Sequence, residues 1–246
     1  MFLTFVLVGC AAPASSAARS DVPDPEKSAG SRCVAGSVQQ LGTRNRTFAA
    51  VARTRITAFR RPGRGRFAEF GVKNVNGVPM VFAVRARRID GTCRARWYRV
   101  QLPMRPNGVR GWVNAKNVQL MPVRSRILVD LSARRVTLFY RGLRVLSARA
   151  AIGTPATPTP TGAYYVNQRL IPTDSRGPFG PGAIGISAFS EVLTGWVQGG
   201  PVAIHGTNRP ELIGRAVSNG CIRVRNDDLR RLFRRATAGT PVTVRT

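Results

Sequence analysis

Two side chains in the last third of the chain are of the types that make a nucleophile and its base. His205, the only histidine among 246 residues, stands in Ala203-Ile204-His205-Gly206-Thr207. Cys221 follows in Ser218-Asn219-Gly220-Cys221-Ile222-Arg223. A thiol attacks as thiolate, and its ordinary pKa of roughly 8.5 makes a neighbouring imidazole the usual activator. Gly220 lets backbone approach a substrate closely, and the amides of Gly220 and Cys221 are candidates for holding an oxyanion. Arg223 presents a guanidinium that pairs bidentately with a carboxylate. Residue types alone also allow a plainer reading: a strand-end histidine, a buried inert thiol, a solvated arginine. Ser218 either hydrogen-bonds a substrate or shapes the turn.

The elements that must position these groups read as strands. Met80–Arg85 and Trp97–Pro103 are apolar runs bounded by turn signals at Asn74-Val75-Asn76-Gly77 and Pro106-Asn107-Gly108. Thr47–Thr57 alternates small and apolar residues. Met121–Ser125 reads as a short linker. Arg126–Leu131, Arg135–Tyr140 and Val145–Gly153 follow as strands joined by turns, and Val242–Val244 closes the chain. Residues 172–187 are rich in glycine and proline and read as a functional loop. Its aromatic candidates are Phe179 and Phe189, with Trp196 beyond; Trp196 reads rather as core. The one predicted helix follows the cysteine. Asn226 or Asp227 caps it, arginines close it, and Leu229, Leu232 and Phe233 share a face.

The two blocks around His205 and Cys221 closely resemble the active-site signature of the L,D-transpeptidases, the YkuD-type catalytic domain. The order of strands from Arg126, with Pro158-Thr159-Pro160-Thr161-Gly162-Ala163-Tyr164, extends the resemblance over about 125–246. One position departs: the family's histidine before Gly-Cys is Asn219 here. The resemblance implies a Cys221 nucleophile and a His205 base oriented by a backbone carbonyl at Gly206. It also implies substrate contacts from Arg223, Ser218, Asn219 and, on a flap, Phe179. The implied partner is the peptidoglycan stem tetrapeptide, the implied product a 3→3 cross-link, and the implied inhibitors carbapenem β-lactams. An L,D-carboxypeptidase of the same fold, or a non-catalytic wall-binding lipoprotein, are the alternatives. A papain-like hydrolase would place its cysteine ahead of its histidine. No cofactor is implied, and one histidine with sparse carboxylates offers no metal-ligand cluster.

Trp97-Tyr98-Arg99-Val100-Gln101-Leu102-Pro103 with Gly111-Trp112-Val113 resembles a bacterial SH3-like module. The expected fold is therefore mainly β: an SH3-like small barrel over 33–120, then a β-sandwich-like catalytic domain over 125–246 with a short helix after the cysteine. Residues 1–10 are apolar and end in Leu7-Val8-Gly9-Cys10, which resembles a lipobox with Cys10 as the lipidated residue. Residues 11–32 read as a disordered tether. Such a leader implies export to the cell envelope and a membrane-anchored lipoprotein. In an exported protein Cys33 and Cys93 are a plausible disulfide, leaving Cys221 free. The net charge of +28 points to an anionic envelope surface. Nucleic acid is not expected, because no such motif is present and the arginines are scattered through strands.

Overall fold

Alternation of apolar and polar residues sets the strands, and the computed structural model describes residues 33–246 apart from 197 and 199. The leader, Cys10 and the tether lie outside the described residues. The first sheet contains β1 (Val38–Gln40), β2 (Thr47–Ala52), β3 (Ile56–Arg61), β4 (Arg64–Phe70), β5 (Val81–Ile89), β6 (Ala95–Gln101), β7 (Arg110–Asn114) and β8 (Val118–Val123). Its order is β4-β3-β7-β6-β5-β2-β8, with β1 added to β5. Ile56, Phe82, Val100, Leu102 and Val113 fill its core. Cys33 and Cys93 are joined by a disulfide with Cα atoms 5.1 Å apart, within the usual span of such a bridge.

The second sheet contains β9 (Ser125–Asp130), β10 (Arg135–Tyr140), β11 (Leu143–Gly153), β12 (Gly162–Leu170), β13 (Ala183–Phe189), β14 (Pro201–His205), β15 (Ala216–Ser218), β16 (Ile222–Val224) and β17 (Pro241–Arg245). The helix α1 spans Asn226–Arg235. The order is β10-β9-β17-β12-β13-β14-β16-β11-β15, and a further β10–β11 pairing closes the path into a ring. Two long strands flatten that ring into layers. β11 pairs with β10 through Leu143–Arg149 and with β16 through Ala150 and Ala151. β12 pairs with β17 through Gly162–Tyr165 and with β13 from Val166 onward. In β9, Ile127 and Val129 face the core while Arg126 and Leu128 face outward, the period of two that a half-buried strand requires. Leu229 and Leu232 of α1 close the core.

Two expectations are corrected. Met121–Val123 is not a linker: it pairs with β2, Met121 opposite Ala49 and Val123 opposite Thr47. Arg124 alone separates the sheets. The segment 172–187 is loop only as far as 182, because Ala183–Ser187 belongs to β13 and is buried throughout. Its Ala-Ile-Gly-Ile-Ser run lacks the polar alternation of a surface strand because both faces are covered.

The sheets are joined by directed polar contacts. The Tyr165 hydroxyl, wholly buried, donates to the Val81 carbonyl at 3.1 Å. Gln101 donates to the Ala163 carbonyl at 2.8 Å and accepts from Arg85 at 2.7 Å. Asn107 takes both backbone groups of Phe189, each at 2.9 Å, so its carboxamide continues the ladder at the end of β13. Asn74 and Asn76 both donate to the Gln168 Oε1, at 2.7 and 2.8 Å.

The Cys33–Cys93 bridge closes a separation of 60 residues, for which the chain-entropy model gives about 4 kcal/mol. Reduction should therefore lower the urea midpoint. Coincident unfolding curves with and without reductant would show that the bridge contributes nothing.

Candidate active site

The site is built on a single parallel pair of strands. β14 lies beside β16 with Ile204 opposite Ile222 and His205 opposite Arg223. Ile204 and Ile222 are both fully buried and point into the core. Side chains alternate along a strand, so His205 and Arg223 point to the other face. Cys221 immediately precedes β16 and lines the same pocket as both. The candidate nucleophile, base and cation thus come together beside two adjacent strands.

The imidazole is fixed by its own chain. Nδ1 of His205 lies 2.6 Å from the Gly206 carbonyl. A carbonyl only accepts, so Nδ1 carries the proton and Nε2 is left as the basic nitrogen. The Phe179 ring tilts over the imidazole at 4.9 Å between centroids. His205 is 4% exposed, and this burial lowers its pKa to about 4; the Arg223 charge adds to the shift and the Gly206 bond opposes it. At neutral pH the ring is uncharged and able to accept a proton. Burial pushes the Cys221 thiol up, while the Ala203 N–H and Arg223 pull it down. Both shifts favour neutral thiol and neutral imidazole over the ion pair, so proton transfer has to accompany attack.

The turn carrying Cys221 needs glycine. Gly220 has φ +102°, in the region that side chains avoid. Ser218, 1% exposed, closes that turn: its hydroxyl donates to the Cys221 carbonyl at 2.5 Å and accepts from the Gly220 N–H at 3.2 Å. Ser218 shapes the turn, one of the two roles its residue type allowed. The Gly220 amide, a candidate oxyanion donor, is already engaged by Ser218. Gly206 acts through its carbonyl, since its N–H donates to the Gly182 carbonyl at 3.4 Å.

A pocket of about 160 Å³ opens over Cys221, lined also by Phe179, Trp196, His205, Asn219 and Arg223. Asn219 is exposed at its rim. Trp196 is 53% exposed and lines the same pocket, so it is not core. It stands on the loop after β13, where no strand covers it. Phe189 instead lies at the end of β13, outside the pocket. The Arg223 Nε is buried with no hydrogen-bond partner among the described residues.

Sequence reasoning missed the second use of Asn226. Its residue type suits a helix cap, but α1 begins at Asn226 itself and has no side-chain cap. Its Oδ1 accepts instead from the Thr207 N–H at 2.8 Å. A Cβ placed on Gly206 or Gly180 would come within 2.3 or 2.4 Å of that oxygen. Asn226 thus pegs the base of the 172–182 loop and the His205–Thr207 segment to α1. Two glycines make the approach possible.

Two outcomes follow from this geometry. Alkylation of Cys221 by iodoacetamide should rise only at alkaline pH; a thiolate shoulder below pH 7 would show a resting ion pair. Asn226→Ala leaves the Thr207 N–H unmatched, at a cost of about 1–3 kcal/mol, and should loosen Phe179 and His205. Asn226→Asp keeps the acceptor and should restore most of the stability. Equal melting temperatures for Asn226→Ala and the parent would remove the peg.

Residues 124–244 match the family model described as YkuD, the L,D-transpeptidase catalytic domain. YkuD of Bacillus subtilis strain 168 is 36% identical over 119 residues, covering 48% of this chain and 64% of its own length. YkuD of Bacillus licheniformis is 34% identical with the same coverage. The chain therefore spans 64% of the length of these curated relatives. Among solved structures, an L,D-transpeptidase of Enterococcus faecium is 26% identical, with 49% of each chain covered and a TM-score of 0.39. L,D-transpeptidase 3 of Mycobacterium tuberculosis with a faropenem-derived adduct is 18% identical, with 56% of this chain and 73% of that one covered and a TM-score of 0.40. The part of this chain that carries His205 and Cys221, residues 124–244, belongs to the YkuD family of L,D-transpeptidase catalytic domains.

Proposed function

We propose that the chain is a peptidoglycan L,D-transpeptidase working through a Cys221 thioester. The supporting observation is that Cys221, His205 and Arg223 line one pocket beside β14 and β16. The donor is a stem tetrapeptide whose third residue is a diamino acid with a free carboxylate.

Nε2 of His205 takes the thiol proton as the sulfur attacks the carbonyl between the third residue and the terminal D-alanine. The C=O π electrons move onto oxygen, and the Cys221 N–H stabilises that charge. Collapse re-forms the carbonyl and breaks the C–N bond. D-Alanine leaves as an amine, taking the proton from the imidazolium Nε2. The thioester is then attacked by a side-chain amine of a second stem, with Nε2 again accepting a proton and returning it to the sulfur. The product is a 3→3 cross-link. Attack by water in that second step would make a tripeptide, the carboxypeptidase outcome. An imidazole with its pKa held low favours the acid role in expelling the amine. Arg223, with its unmatched Nε, would hold the substrate carboxylate.

Asn219 offers a carboxamide at the rim where the family signature has histidine. The orientation of His205 does not depend on it, because Gly206 supplies that bond. Carbapenem β-lactams present a strained carbonyl to the same thiol and are the proposed inhibitors. In this reading Cys10 is lipidated and the protein is anchored outside the cytoplasmic membrane. The SH3-like reading of 33–120 gives the first sheet a positioning role on the wall, and the basic surface a contact with anionic envelope polymers.

Intact mass after incubation with a carbapenem, and separately with disaccharide-tetrapeptide, tests the mechanism. A carbapenem adduct and release of D-alanine are expected from the parent and neither from Cys221→Ala. Dimer formation separates transpeptidase from carboxypeptidase. Folded protein with reduced Cys221 that gives neither adduct nor D-alanine sinks the enzyme reading. The acid limb of the acylation rate should fall near pH 4, where His205 becomes protonated, and a limb near 6.5 would contradict the buried base.

A further inference from the structure

A groove of about 390 Å³ lies between the two sheets, next to the catalytic pocket. One wall is the turn between β4 and β5, with Asn74 and Asn76. The other is β12, with Asn167 and Gln168. Phe70 and Phe189 add aromatic surface. The groove adjoins the catalytic pocket: Pro201 lines both, and the neighbours Phe189 and Ser190 line one each.

Its chemistry contrasts with the rest of the molecule. The chain has 39 lysines and arginines, yet among the described residues no arginine lines this groove. Its only charged lining residues among them, Glu69 and Lys73, are of opposite sign. An anionic polymer would be drawn to the arginine-bearing surface and not to this neutral wall. The lining carries five carboxamides, Asn74, Asn76, Asn167, Gln168 and Gln198, several bonded to one another, so it is a polar and not an apolar surface. The Asn167 Oδ1 is buried beside the groove and has no hydrogen-bond partner among the described residues. Carboxamides that give and accept hydrogen bonds, set between aromatic rings, suit an uncharged ligand with hydroxyl and acetamido groups and apolar C–H faces.

We propose that this groove binds the glycan to which the donor stem is attached, an uncharged segment of N-acetylated amino sugars. The proposal rests on the transpeptidase reading for its choice of polymer. In such a strand the acidic sugar's carboxyl is consumed in the amide to the stem, so the sugars themselves are neutral. Sugars held between the sheets would send the stem toward Cys221. Binding energy distant from the scissile bond would then position its carbonyl. The Asn74 and Asn76 bonds to Gln168 keep the two walls in register.

The direct test is calorimetric titration of the full chain with a stem-free tetramer of N-acetylglucosamine. Two variants accompany it. Gln168→Ala removes a wall. Val75→Arg places a charge on the lip, at a position 81% exposed where substitution should leave the fold intact. The tetramer should bind the parent and bind each variant about tenfold more weakly, a loss of ~1.4 kcal/mol. The kcat/KM ratio for disaccharide-tetrapeptide over free tetrapeptide should fall by a similar factor. A parent that does not bind the tetramer, or a Val75→Arg protein that binds it as well as the parent, overturns the proposal. Sugar binding without D-alanine release from either peptide would uphold the groove and remove the catalytic reading instead.

Discussion

The structure depends on the register between β14 and β16. Ile204 and Ile222 face each other in the core, and that single pairing decides which way every neighbouring side chain points. A slip of one residue would flip the faces of the strand that moved, turning either His205 or Arg223 inward and bringing the isoleucine beside it out. The apolar core and the catalytic face are therefore set by one constraint. Burying Val202, Ile204, Ile222 and Val224 stabilises the arrangement that chemistry needs.

The electrostatics follow from where that face lies. His205 is covered by Phe179 and faces an arginine, and both circumstances disfavour its cation. The thiol is partly buried as well. Arg223 acts in opposite senses on the two groups: it disfavours the imidazolium and favours the thiolate. The two effects oppose each other in the transfer of a proton from Cys221 to His205.

Around this centre, glycine and asparagine do the positioning. Gly220 sets the turn below the thiol, and Gly206 and Gly180 admit the Asn226 carboxamide. Asparagine side chains imitate backbone elsewhere: Asn107 continues β13, and Asn74 and Asn76 tie the first sheet to β12. The first sheet is thus held against the catalytic half by directed hydrogen bonds as well as by the Tyr165 ring. The groove along their junction is a consequence of that docking.

Much of this was legible in the sequence. Arg135–Tyr140 is a strand with the boundaries its pattern implies. The helix after the cysteine has its acidic first turn and basic last turn. The residue types and spacing around His205 and Cys221 pointed to a thiol–imidazole pair, because few side chains suit a nucleophile and its base and this chain has one histidine. Tertiary structure alone decided the rest. Asn226 has the composition of a cap, and only the approach of the His205–Thr207 segment from another part of the chain gives its oxygen a different donor. Ser218 was open between substrate and turn, and in the structure its hydroxyl both donates and accepts within the turn. Trp196 has a core residue's size, but exposure depends on which strands cover it. Sequence determines local periodicity and functional-group identity; long-range packing determines which groups meet, and burial, unmatched polar atoms and grooves exist only after it.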